Sequence, residues 1–331
     1  MTFHHIYRLR PLVLLIAATL AVQGCNDSSG EIPRPATRAP AEQGGYAAVR
    51  VQHQLGTTLI EHVPQRVVAL DMNEVDFLDQ LGVPVAGMPK DFVPHFLARY
   101  KDAPGVEDLG AIVQPNLERV HGARPDLILI TSLQASHYGE LSDMAPTLHF
   151  DVDYRDSEAR HIGVIRAHLL TLGQIFGKQS LAQQKVAELD AKVEQARAIT
   201  RERPEKALVV LHNNGAYSAF GVHSRYGFVF NDLGVKPAGP TSATGLHGQP
   251  VSSEFIQQAN PDIIYVVDRT AVMEGRPVMD ARSMGNPLLR QTNAWKNGRV
   301  IFVDAQAWYV TGASPTSLKL LIDDVLKGYQ G

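Results

Sequence analysis

The chain is poor in the features that announce chemistry by themselves. One cysteine, Cys25, stands among 331 residues, so neither a disulfide framework nor a thiolate metal cluster is available. Charge of one sign is missing as well, since 31 Lys and Arg against 34 Asp and Glu leave a net charge of -3. With no Lys/Arg-dense stripe and no interleaved aromatics, nothing supports nucleic-acid binding, and any recognition of an anion must be local. G-x-G-x-x-G after a strand, a G-K-[ST] loop, a G-x-S-x-G elbow and H-E-x-x-H are all absent. That weakens every enzymatic reading.

Long apolar runs are lacking too, apart from one at the N-terminus. There Arg8 and Arg10 precede PLVLLIAATLAVQGC, a basic start and an apolar stretch too short for a comfortable membrane span. A small residue before Cys25 and the polar NDSSG after it resemble a bacterial lipoprotein signal. Residues 1–24 then read as a signal peptide, with Cys25 acylated and the protein held in the periplasm or cell envelope by its lipid. Residues 25–47 are rich in Pro, Gly, Ala and Ser without a period, as a flexible tether should be.

What is there is an α/β alternation. Residues 48–156 run through LGTT, a hairpin signal, then RVVALD, NEVDFLDQLG, VPVAGMP and PDLILI, alternating buried strands with short helices. Such near-continuous apolar strands suit a parallel sheet covered by helices. From 157 to 200 the period becomes helical and proline disappears, so one long helix or two nearly collinear ones should connect two lobes, with Phe176-Gly177 as the place for a break. Residues 201–331 repeat the α/β order through LVVLH, PDIIYVVD, VIFVD and SLKLLIDDVLKGY. A cleft between such lobes is a favoured ligand site.

Polar residues on loops of the second lobe are the candidates. Arg225 lies in a glycine-punctuated turn, and His247 sits between Gly245 and Gly248 ahead of what reads as a proline-started helix. Arg269 ends the strand IIYVVD, and Trp308 and Tyr309 precede the last helix. Ligands of α/β folds gather beyond the carboxyl ends of strands. Taken singly, each residue reads at least as well as a solvated arginine, a packed aromatic or an ordinary surface histidine.

From about Gln54 onward, LGTTLIEHVPQRVVALD, SRYGFVFNDLGVKPA, HGQPVSSEFI, NPDIIYVVDRT and QTNAWKNGRVIFVDAQAWY together resemble the periplasmic siderophore-binding proteins of iron ABC importers, in the subgroup that takes catecholates. The resemblance implies the fold of class III periplasmic binding proteins, two α/β lobes bridged by a long helix. It implies a monomer without catalytic turnover or intrinsic cofactor, which delivers a ferric catecholate siderophore to a permease in the inner membrane with its cytoplasmic ATPase. By the same resemblance Arg225 and Arg269 bind the siderophore, while His247 and Tyr309 ligate iron.

The residue types suit that cargo. Arginine keeps its charge and offers a fork of donors to catecholate oxygens. Ferric ion takes six donors, so a siderophore with only two catecholates leaves room for an imidazole and a phenolate. Where relatives carry a third arginine, in a stretch like ISGRQ, this chain has ITSLQ and so Leu133. That removes a positive charge from the cleft and implies a less anionic, smaller or mixed-donor ligand. Lys90, Arg155 and Arg160 are the candidate compensators, and Leu133, Trp308 and Lys90 the further candidate cleft contacts. The alternatives are a receptor for haem, cobalamin or a bare metal, and an exported metal-dependent hydrolase, which would need a carboxylate near His247 that the sequence does not supply.

Overall fold

The computed structural model describes residues 46–152, 161–239 and 248–330. The expected signal peptide, Cys25 and nearly all of the tether lie outside the described residues, as do Arg155, Arg160 and His247.

Lobe 1 opens with an antiparallel hairpin, β1 (Val49–His53) and β2 (Gly56–Ile60), whose alternation turns Val49, Val51 and Ile60 inward. Tyr46, inside the expected tether, already packs against the core. There follow β3 (Val67–Ala69), α1 (Met72–Gln80), β4 (Val85–Met88), β5 (Glu107–Asp108), the small hairpin β6 (Gly110–Ala111) and β7 (Gln114–Pro115), α2 (Leu117–Gly122), β8 (Leu127–Ile130), α3 (Tyr138–Met144) and β9 (Thr147–His149). The main sheet has the order β5-β4-β3-β8-β9 and every pair is parallel. All four residues of β8 are fully buried, which is why PDLILI reads as an unbroken apolar run. Helix α1 starts where the Asp71 carboxylate accepts the Asn73 N–H, an N-cap that satisfies one of the orphan donors.

The connector is a pair of helices, α4 (His161–Ile175) and α5 (Gln179–Thr200), and they are not collinear. A Cβ placed on Gly173 would lie 2.4 Å from the Cβ of Ala182. In one straight helix nine residues span about 13 Å, so the chain folds back at the intervening turn. Gly177 makes that turn at φ +64°, where a side chain would strain the backbone. Helix α4 lies against α1 and β1 of lobe 1. Helix α5 runs along the last helix of the chain, tied to it by Lys192–Asp323 and Lys319–Glu188 ion pairs. The bridge is thus two packed helices, α4 set mainly against lobe 1 with its first residue, His161, reaching lobe 2, and α5 set against lobe 2.

Lobe 2 contains β10 (Lys206–Asn213), β11 (Ala216–Phe220), α6 (Phe228–Asn231), β12 (Lys236–Pro237), β13 (Gln249–Val251), α7 (Ser253–Ala259), β14 (Ile263–Asp268), α8 (Arg269–Glu274), α9 (Ala281–Met284), α10 (Asn293–Lys296), β15 (Val300–Phe302) and α11 (Pro315–Lys327). Its sheet runs β13-β11-β10-β14-β15, with β12 beside β10. Strands β10, β12, β14 and β15 are parallel, but β11 runs antiparallel to both its neighbours, β10 and β13, and so breaks the parallel order that the apolar strands suggest. The cause is a two-residue turn at Asn214-Gly215, both at positive φ, that pairs Asn213 with Ala216. Pro250 belongs to the edge strand β13, where its missing N–H does no harm; α7 is capped by Ser252, whose hydroxyl accepts the Phe255 N–H, and is not begun by the proline.

Candidate ligand-binding site

Tyr309 rides on a π-helical turn, Ala307–Thr311, beyond the carboxyl end of β15. Such widened turns are rare and concentrate at functional positions. The Asp304 carboxylate starts it by accepting the N–H groups of Gln306 and Ala307, each at 3.1 Å.

Two arginines converge on this tyrosine. Arg269 is the first residue past β14; its Nε donates to the Tyr309 hydroxyl at 2.6 Å and its Nη1 to Asn213 Oδ1 at 2.9 Å. Asn213 stands at the matching end of β10, because the two strands pair His212 with Asp268 in register. On the opposite face of the sheet the same pair is locked by a 2.9 Å bond from His212 Nδ1 to Asp268, while His212 Nε2 accepts the Gly215 N–H at 2.8 Å. The strand ends that carry Asn213 and Arg269 are therefore fixed from behind. Arg225, from the loop between β11 and α6, donates through Nη2 to the carbonyls of Trp308 and Tyr309 at 3.3 and 2.9 Å. Both guanidinium carbons lie 5.4 Å from the centre of the Tyr309 ring. Three half-buried side chains from segments far apart in sequence thus form one cationic group around a phenol.

His161, at the start of α4, lies beneath them and donates to the Gly312 carbonyl at 2.8 Å. Burial pushes its pKa down to about 4, the Arg225 charge adds to the effect, and the bond to Gly312 opposes it. It is neutral at pH 7, so the positive charge of the group is that of the arginines.

Lobe 1 meets the same place along two lines of contact. Asn73 Oδ1 accepts the Ala313 N–H at 3.0 Å and Asp76 Oδ2 accepts the Thr316 N–H at 2.7 Å, both just after the Tyr309 turn. Just before it, the His95 ring bonds Asp304 at 2.6 Å and the His95 N–H donates to Gln306 Oε1 at 2.8 Å. Behind Asn73 sit two buried acids. Burial raises Asp71 to about 6 against the pull of the Asn73 and Thr131 hydrogen bonds. Glu74 is pushed well above the carboxylate range by burial, then by the neighbouring Asp71 and Asp151.

Of the expected residues, Arg225, Arg269 and Tyr309 come together. Leu133 is 43% exposed on a 3-10 helix, Ser132–His137, directly past β8. Lys90, just past β4, donates to the Tyr100 carbonyl and is tied within lobe 1, with burial lowering its pKa. Trp308 is a correction. It is fully buried between Tyr226, Phe228 and Tyr265, with its indole N–H on Asp324 at 3.0 Å, so it offers no surface to a ligand. Asn213, Asn73 and His95 were not anticipated; the one signal for Asn213 was its place before Asn214-Gly215. Among the described residues no three His, Cys, Asp or Glu side chains come together to hold a metal ion.

Two α/β lobes, joined by helices and presenting strand-end loops to one seam, define a receptor for a captured ligand, with the fold of class III binding proteins. The chain belongs to the periplasmic binding protein family (Peripla_BP_2), matched over residues 67–307. It is 65% identical over 280 residues to the ferric-anguibactin-binding protein FatB of Vibrio anguillarum, which covers 85% of this chain and 87% of that protein. It is 31% identical over 323 residues to the petrobactin-binding protein YclQ of Bacillus subtilis, covering 96% of this chain and 98% of the other. The siderophore binding protein BauB, solved with a complex between two molecules of acinetobactin and ferric iron, has 63% identity and a TM-score of 0.82, covering 86% of this chain and 99% of that one. These relatives are binding proteins and not enzymes, and the ferric complex is their cargo and not a resident cofactor.

Proposed function

We propose that the protein captures a ferric siderophore complex of catecholate type between its lobes and hands it to the permease of an iron ABC importer, while acyl chains on Cys25 tether it to the membrane. The observation that carries this reading is the convergence of Arg225 and Arg269 on Tyr309. A catecholate chelate of iron is anionic, and two guanidinium groups held on one phenol supply permanent counter-charge in a partly desolvated place. The phenolate of Tyr309, with an imidazole from His247, completes the iron shell when the siderophore brings only four donors. The names of the relatives support a siderophore as the cargo, and their identity as binding proteins supports the absence of turnover.

Titration with ferric bis- and tris-catecholates, against ferric hydroxamate controls, tests the reading through tryptophan fluorescence and the visible spectrum. A tetradentate bis-catecholate complex should change colour on binding, and a closed hexadentate one should not. Tyr309→Phe combined with His247→Ala should abolish the spectral change and keep much of the arginine-driven affinity. No binding of any catecholate complex below millimolar concentration sinks the catecholate claim, and an unchanged spectrum in the double variant shows that neither side chain ligates iron.

A further inference from the structure

Lobe 1 carries an unusual set of exposed apolar residues at one end of its sheet. Large apolar side chains are seldom exposed here, yet Phe92, Val113 and Leu133, at 40%, 62% and 43%, all sit on the segments that follow strands at the carboxyl end of the lobe 1 sheet. Phe92 follows β4, Val113 tips the β6–β7 hairpin and Leu133 follows β8.

Hydrogen bonds hold the three loops together. The Asp91 carboxylate accepts the Ile112 N–H at 3.0 Å, and Gln134 Nε2 donates to the Ile112 carbonyl at 2.6 Å. Asp91, Ile112 and Gln134 are thus one connected chain, and each of the three apolar residues is the immediate neighbour of a member. Phe92 is held at φ +50°, a conformation a bulky side chain adopts only when its surroundings impose it. An exposed apolar group on an imposed backbone, as at Phe92, marks a surface that meets something.

The wall is continuous with the site already described. Three residues past Phe92, His95 crosses to Asp304 and Gln306; two residues before Leu133, Thr131 donates to Asp71, whose partner Asn73 receives Ala313. Those lobe 2 contacts bracket Tyr309 on both sides. The geometry points to Phe92, Val113 and Leu133 as a specificity-determining apolar wall that selects ferric complexes with an uncharged, aromatic face toward lobe 1 and their anionic oxygens toward Arg225 and Arg269. This rests on the reading of the protein as a ferric siderophore receptor and names the ligand class within it. A tris-catecholate complex is a trianion with charge on every side, and it suits the cationic wall only.

The test uses three ferric probes on the full protein: a tetradentate bis-catecholate with a phenyl group on its linker, the same ligand without the phenyl, and a hexadentate tris-catecholate. The wild type should prefer the phenyl-bearing complex over its parent by about tenfold, which corresponds to about 1.4 kcal/mol. Phe92→Asn, in which asparagine tolerates the positive φ, combined with Leu133→Asn should reduce that preference to below twofold. Leu133→Arg should raise affinity for the trianion by about tenfold. A phenyl preference below twofold in the wild type, or one that survives in the Phe92→Asn, Leu133→Asn protein, overturns the wall alone. Failure of the wild type to bind any of the three overturns the catecholate reading and takes the wall with it.

Discussion

At the carboxyl ends of the lobe 2 strands, Arg269 and Arg225 are locked by hydrogen bonds to Asn213, Tyr309 and two backbone carbonyls. At the equivalent ends in lobe 1, the ionisable groups Asp71 and Glu74 are buried and biased toward their neutral forms, while Leu133 and Phe92 are what reaches solvent. Similar sheets therefore present opposite chemistries to one seam. A guanidinium cannot discard its proton at any relevant pH, so lobe 2 is a fixed charge. Lobe 1 offers shape, and its contribution grows with apolar area and not with ionisation. The division of labour predicts where affinity and where selectivity reside.

The largest effect should come from the charged side. Arg269→Ala removes a cation from the ligand and the donor that orients the Tyr309 hydroxyl, and should weaken ferric bis-catecholate binding about 100-fold, or about 2.7 kcal/mol by calorimetry. Arg269→Lys should recover little, because an ammonium cannot donate to Asn213 and Tyr309 with the geometry of a planar fork. A loss below threefold for Arg269→Ala would erase the contrast between the lobes.

Next comes the ionisation of lobe 1. A folded pKa of about 6 for Asp71, against 3.8 for the free side chain, means the folded state holds the extra proton between those values, so this group's contribution to stability falls as pH rises through that window. Above it the buried carboxylate is a standing cost. Asp71→Asn keeps an acceptor for the Asn73 N–H and should stabilise the protein at pH 7.5 by about 2 kcal/mol, seen as about 3 °C in Tm. The gain should vanish near pH 4. His161 titrates with the opposite sign, its depressed pKa costing stability as pH falls from 6.5 toward 4, but it is common to both proteins and cancels in the difference. A gain that is constant with pH would mean that Asp71 is not buried as a charge.

How much of this was legible in the sequence differs by element. Apolar runs such as LILI and IIYVVD read directly as buried parallel strands, because period and composition are local properties. The strand AYSAF did not, although Asn214-Gly215 signals a hairpin, because its alternation is weak and glycines surround it. Collinear helices were the natural reading of 157–200, since the role of Gly173 depends on Ala182, a partner that local periodicity cannot reveal. Arg225, Arg269 and Tyr309 were candidates by their places near strand ends, but only the family resemblance joined them into one site; spacing alone says nothing about segments that meet only through register and packing. Trp308 was misjudged by its neighbour, for on a helical turn adjacent side chains point in different directions and only one of the two faces the seam.

The smallest effect isolates the backbone of the lobe 1 wall. Phe92→Ala and Phe92→Gly delete the same ring, and they differ mainly in how well the new residue accepts φ +50°. Alanine keeps the clash between its Cβ and the backbone, whereas glycine has none, so the glycine variant should be the more stable by about 1 kcal/mol, or about 1–2 °C in Tm. Part of that advantage is offset by the greater freedom of glycine in the unfolded chain. Both variants should lose affinity for an aromatic-faced ferric complex to the same degree, because the ring makes the contact and the backbone only aims it. Equal melting temperatures would show that the loop relaxes once the ring is gone, which makes Phe92 itself the source of the strained turn and not its passenger.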